Sequence, residues 1–163
     1  MPREVAELLT TRFAGVWSAV CVPTDDAFVV VYNPTHSAPR QESDIMHELA
    51  HVLCDHTPDR FEMVGELPFM MRHYDASQEE EAIWLGACLQ IPRAALLSLI
   101  RRQFSNEALA ALFGASEEMV VFRRNMTGID RQLHRAARFN RSALLPVNPH
   151  RVAADREARR EPS

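Results

Sequence analysis

The stretch Ser43-Asp44-Ile45-Met46-His47-Glu48-Leu49-Ala50-His51-Val52-Leu53-Cys54 carries the reading of this chain. Residues four apart stack on one face of an α-helix, so His47 and His51 can offer two imidazoles to a single cation. Glu48 is turned about 100° from His47, where its carboxylate reaches a water beside the cation rather than the cation itself. Ile45, Met46, Leu49, Ala50, Val52 and Leu53 make the segment apolar on nearly every side, which predicts a core helix. Ser43 or Asp44 is the expected cap of its first turn. Two imidazoles buried in such a helix need polar partners, and a metal ion satisfies both at once. Two neutral nitrogen ligands with a base beside them suit Zn²⁺ in a hydrolase, with Glu48 as the catalytic residue.

Upstream, residues 4–16 have the apolar spacing of a short helix. Trp17–Pro23 and Ala27–Tyr32 read as strands around a Thr24-Asp25-Asp26 turn, which predicts a small antiparallel hairpin. Downstream, Phe61–Tyr74 mixes apolar residues with Gly65 and Pro68 and reads as a strand or an irregular flap. A second core helix is expected from near Ser77 to Pro92, with Glu79, Glu80 and Glu81 in its first turns, where the helix dipole favours acids. A zinc site with two histidines from one helix needs a third protein ligand, and these glutamates are the candidates. Glu81 ranks first because it is closest to the buried run and shares a face with Leu85; Glu80 is second and Glu79 third. Tyr74, His73 and His36 are the candidates for substrate or oxyanion contact.

Beyond Pro92 the pattern is helical. Arg93–Phe104 forms one segment. A second ends at Gly114, and a third is capped by Ser116, so residues 105–127 have a helix-turn-helix-like layout. The division is 1–92 as a metallopeptidase core, 93–150 as a helical extension, and 151–163 as a flexible polar tail. Residues 1–92 carry fifteen acids against five arginines, and residues 93–163 seven acids against thirteen arginines. Between residues 123 and 141 stand Arg123, Arg124, Arg131, Arg135, Arg138 and Arg141 against Asp130 alone. Such a stripe is read first as a solvated or internally paired face, next as a protein contact, and last as a DNA contact, since the helix placed to read DNA opens with Glu117-Glu118.

The chain has 163 residues, 47% apolar and 25% charged, enough for one globular domain with a real core. No apolar run approaches the roughly 20 residues that span a bilayer, and the N-terminus lacks a signal-like apolar region. Cys21, Cys54 and Cys88 are widely spaced and odd in number, as in a cytoplasmic protein with reduced thiols.

Tyr32-Asn33-Pro34, Arg40-Gln41, His47-Glu48-Leu49-Ala50-His51 and Glu79-x-Glu81-Ala82-x-x-x-Gly86-Ala87-x-Leu89-x-Ile91-Pro92 together resemble the ImmA/IrrE family of zinc metallopeptidases. The resemblance implies an α+β fold built on a small thermolysin-like zincin core. It implies His47, His51 and Glu81 as metal ligands and Glu48 as general base. It also implies a protein substrate, a helix-turn-helix transcriptional repressor. The sequence departs from the family pattern at Ile83, where Asn or Asp is usual, and at Leu85-Gly86 in place of Phe-Ala. The competing reading is a DNA-binding or protein-interaction module with a structural or degenerate zinc site.

Overall fold

The computed structural model describes residues 3–63 and 70–143. Within them lie helices α1 (Arg3–Thr10), α2 (Ala38–Leu53), α3 (Ala76–Gln90), α4 (Arg93–Arg101), α5 (Asn106–Phe113), α6 (Glu117–Thr127) and α7 (Ile129–Ala143). Strands β1 (Ala19–Pro23) and β2 (Phe28–Tyr32) pair antiparallel, as do β3 (Arg60–Met63) and β4 (Met70–His73). The expected short sheet is therefore two separate hairpins, and the class is α+β. The chain divides into two compact units, residues 1–127 and 128–163, so the helices after Pro92 as far as Thr127 share a unit with α2. Part of the expected flap, residues 64–69, and everything from residue 144 onward, the polar tail included, lie outside the described residues. Among the described residues no single helix is long and apolar enough to cross a membrane.

The first hairpin is pinned at its base by Asn33, which is fully buried. Its Nδ2 donates to Ala14 O at 2.7 Å and to Trp17 O at 3.0 Å, and its Oδ1 accepts from Thr35 N–H at 3.0 Å. Every polar atom of that side chain is thereby satisfied, which removes the cost of burying it. The Trp17 indole donates to Leu9 O at 3.1 Å and ties α1 to the same corner.

α2 begins at least six residues earlier than the sequence suggested, its cap being Ser37 and not Ser43 or Asp44. Ser37 is its N-cap and a proline stands in its first turn, where the missing N–H costs nothing. Ser43, expected as a cap, lies inside the helix and donates to Gln90 Oε1 at 2.9 Å. Gln90 in turn donates to Gly114 O at 3.1 Å, linking α2, α3 and the end of α5. At its other end α2 closes through Asp55 in the left-handed region, φ 55°. His56 N–H then reaches back to His51 O at 3.0 Å, and Asp55 N–H to Val52 O at 3.2 Å. This is the paired C-terminal closure usually built on glycine.

α3 packs along α2 through small residues. Ala82, Gly86 and Ala87 are buried, whereas Ile83 and Trp84 are exposed. A Cβ on Gly86 would stand 3.1 Å from His47 N and from Met46 C and O, tighter than ordinary van der Waals contact. Asp75 caps α3, accepting from Ser77 N–H at 2.8 Å and Gln78 N–H at 2.9 Å.

In the C-terminal part of this unit, Ser105 caps α5, Gly114 ends it at φ 58°, and Ser116 accepts from Met119 N–H at 3.1 Å to start α6. Arg123 is 2% exposed and donates from Nε to Ile91 O at 3.1 Å, so it is a structural cation and not part of an outward basic stripe. Arg124 donates to Asn106 Oδ1 at 2.7 Å. In the second unit α7 presents Arg131, Arg135 and Arg138 on its exposed surface.

The helix contact gives a direct test. Gly86→Val should destabilise the protein by about 1–3 kcal/mol, because backbone atoms of α2 would have to move to admit the side chain. Gly15→Ala, at a glycine with nothing within 4 Å of its would-be Cβ, should change stability by less than about 0.5 kcal/mol. Urea unfolding of the two variants checks the contrast, and equal stabilities would refute the tight contact.

Candidate metal centre

α2 delivers His47, Glu48 and His51, and α3 delivers a carboxylate opposite them. The Nε2 atoms of His47 and His51 are 3.0 Å apart. Glu79 Oε2 lies 3.3 Å from His47 Nε2, and Glu79 Oε1 3.9 Å from His51 Nε2. A tetrahedral zinc with bonds of 2.0–2.1 Å holds its ligand atoms ~3.3 Å apart, so the three donors already stand near the corners that ion requires. Two imidazoles and a carboxylate are also the donor types that suit it. The residues present fit a zinc ion.

The carboxylate in that position is Glu79, ranked last of the three, and not Glu81. The reason lies in which face of α3 meets α2. Glu79, Ala82 and Gly86 follow one another at three- and four-residue spacing along the small-residue face, so Glu79 inherits the close approach that Gly86 permits. Glu81 projects to the side, its side chain 64% exposed, with Oε2 3.3 Å from His56 Nε2. Glu80 is exposed as well.

Glu48 is held by β1, its Oε2 accepting from Cys21 N–H at 2.9 Å. Burial pushes its carboxyl above the ordinary carboxylate range, against the opposing pull of His47, the Cys21 N–H and Arg72. A carboxylate made more basic in this way is matched to taking up and returning a proton. Burial, with His47 and His56 nearby, lowers His51 from 6.5 to about 4, which leaves it neutral and free to coordinate near neutral pH.

Tyr74 stacks on His51, ring centroids 3.8 Å apart and planes 17° from parallel. It lines a 60 Å³ cavity together with His47, Glu48, His51, Arg72 and Glu79. A cleft of about 570 Å³ adjoins it, bordered by Trp17, Ala19, His47, Glu48, Ile83 and Met119. His36 is turned to Asp44, with Nδ1 3.2 Å from Oδ2, and serves the entry to α2. His73 closes β4 in register with Arg60. Of the three residues expected to contact substrate, the structure brings Tyr74 into the cavity with the histidines.

Arg72 was not singled out in the sequence. Its guanidinium charge favours the ionised Tyr74 hydroxyl against the opposing effect of burial, and it lines the same small cavity. Its spacing of two from Tyr74 puts both side chains on one face of an extended segment, a signal that becomes usable once β4 is known to be a strand.

The family model described as the IrrE N-terminal-like domain, Peptidase_M78, matches residues 14–125. Curated proteins and solved structures give no significant match.

The lowered His51 fixes the sign of one pH effect on the metal-free protein. Between pH 6.5 and about 4 the unfolded chain binds a proton at this residue that the folded chain does not, so stability is lost as pH falls through that window and is unaffected above it. The raised Glu48 acts in the opposite sense above its unfolded value, so the comparison is made by difference. His51→Phe should flatten the acid-side loss in urea unfolding relative to wild type, and parallel curves would contradict a neutral buried His51.

Proposed function

The chain belongs to the IrrE N-terminal-like domain family, Peptidase_M78, a family of metallopeptidase type, and from that premise we propose that it is a zinc-dependent endopeptidase acting on a protein substrate. The observation that carries the proposal is the convergence of His47, His51 and Glu79, with all three ligand atoms within 4.8 Å, beside Glu48 in one cavity. These three would hold the ion. The chemistry zinc supplies when bound is Lewis acidity, which polarises a carbonyl and lowers the pKa of water.

The chain's own groups do the rest. Glu48 takes a proton from the attacking water and returns it to the leaving amine, a role that its raised basicity supports. Cys21 N–H fixes one of its oxygens, so the other is left to face the water. Tyr74 and Arg72 line the same cavity and would donate to the carbonyl oxygen as negative charge develops there. β1 borders the cleft through Ala19. The larger cleft has room for a substrate side chain beside His47 and Glu48.

The expected substrate class, a helix-turn-helix repressor, rests on the resemblance of the metal-helix and second-helix motifs to the ImmA/IrrE pattern. Contact with an acidic protein surface, or less favourably with DNA, through Arg131, Arg135 and Arg138 is a secondary reading. Burial of Arg123 weakens it.

Zinc content and cleavage of a mixed peptide library, measured on tag-free protein, test the proposal. Wild type should carry one zinc and cleave. Glu48→Gln should keep the zinc and lose at least about 10²-fold in rate. His47→Ala, His51→Ala and Glu79→Gln should lose both. A wild type that takes up no zinc, or a Glu48→Gln variant as active as wild type, would end the endopeptidase reading.

A further inference from the structure

The two nitrogens of His51 face different neighbours. Nε2 is turned toward His47 and Glu79, while Nδ1 lies 2.9 Å from His56 Nδ1. His56 Nε2 lies 3.3 Å from Glu81 Oε2. A neutral imidazole carries one proton, so each ring in this row has one donor and one acceptor nitrogen. If Nε2 of His51 is to keep its lone pair for a metal, the proton sits on Nδ1 and is donated to the lone pair of His56 Nδ1. That acceptor role places the proton of His56 on its own Nε2, which then donates to Glu81. Two protons and three groups fit in a single order.

We infer that His56 and Glu81 are positioning residues, forming a carboxylate–imidazole relay that holds His51 as its Nδ1–H tautomer and aims Nε2 at the metal. The inference deepens the zinc reading and rests on it. Metal-bound histidines usually donate their second N–H to an outer partner, and loss of that partner typically weakens metal binding 10–100-fold.

The surroundings favour the relay. His51 and His56 have side chains 3% and 5% exposed, so a wrong tautomer would leave a buried polar nitrogen unpaired. The stacked Tyr74 ring fixes the plane of His51. The left-handed Asp55 and the His56 N–H to His51 O bond fold the second ring back on the first.

Cys54, His56 and Glu81 also bring ligand atoms within 4.8 Å of one another, a set that a second transition metal could use. The proton count argues against it. With Nδ1 accepting from His51 and Nε2 protonated, His56 has no lone pair left to coordinate.

The experiment is zinc stoichiometry and affinity, by competition with a chromophoric chelator, on the full chain and its variants. The wild type should bind one zinc, and Cys54→Ser should match it. His56→Ala should bind 10–100-fold more weakly. His56→Gln, whose amide can both accept and donate, should recover most of that loss. Glu81→Gln, a change at an exposed side chain that leaves folding intact, should weaken binding in the same direction without abolishing it. In the zinc-loaded protein, ¹⁵N shifts should show His51 protonated at Nδ1. Unchanged affinity in both His56→Ala and Glu81→Gln overturns the relay. So does complete loss of zinc in Glu81→Gln, which would make Glu81 a ligand, and so does a second zinc removed by Cys54→Ser. In each of these cases the wild type still binds a zinc at His47 and His51, whereas a wild type that binds none sinks the zinc reading and the relay together.

Discussion

The approach of α3 to α2 at Gly86 governs this structure. With no side chain at that position, the backbone of α3 comes against the backbone at Met46 and His47, and everything on the same face of α3 is drawn in with it. Ala82 and Ala87 fill the contact, and Gln90 closes it with its bond from Ser43. Glu79 is the first polar residue on that face, seven positions before the glycine, and it meets two histidines from the opposite helix. The ligand geometry therefore follows from helix packing. A centre assembled on two packed helices is also stiffer than one assembled on loops, which suits a site whose donors must keep fixed distances.

The first hairpin and α2 are coupled just as directly. Cys21 N–H, on the edge of β1 away from β2, is given to Glu48 and not to another strand. The strand that borders the cleft thus also orients the Glu48 carboxylate within it. Asn33 and Trp17 anchor that hairpin from the other side, so a buried amide and an indole some distance from the chemistry help to set where Glu48 points.

Much of this could be read from the residues, for identifiable reasons. His47, Glu48 and His51 lie within one and a half helical turns, where spacing alone sets their relation. The β1–β2 hairpin has β-branched runs on either side of a short polar turn, and the α5–α6 corner has a glycine and a serine at the positions a cap requires. What could not be read depended on contacts between distant segments. Three consecutive glutamates point in three directions, and choosing Glu79 required knowing that α3 presents its small residues, not its large ones, to α2. Leu85 misled because apolar size was taken as the mark of the buried face. The start of α2 was placed late because a proline reads equally well as loop or as first turn. Arg72 and His56 needed, respectively, the β3–β4 pairing and a chain reversal on an aspartate, a residue that seldom takes a left-handed conformation and so leaves a faint signal. Arg123 was counted among outward cations because sequence periodicity does not show that Ile91 O waits for it in the core.

That reversal at Asp55 also bears on the order in which the centre forms. His51 and His56 are five residues apart and are joined by the closure of α2 itself, so the pair needs almost no chain entropy beyond what the helix has already lost. Glu79 and Glu81 must come from more than twenty residues further along and wait for α3 to dock. The imidazole cluster is a local product of folding and the carboxylates are late arrivals. The three imidazoles thus share one continuous stretch of chain, while their carboxylate neighbours on α3 join them only through a long-range contact.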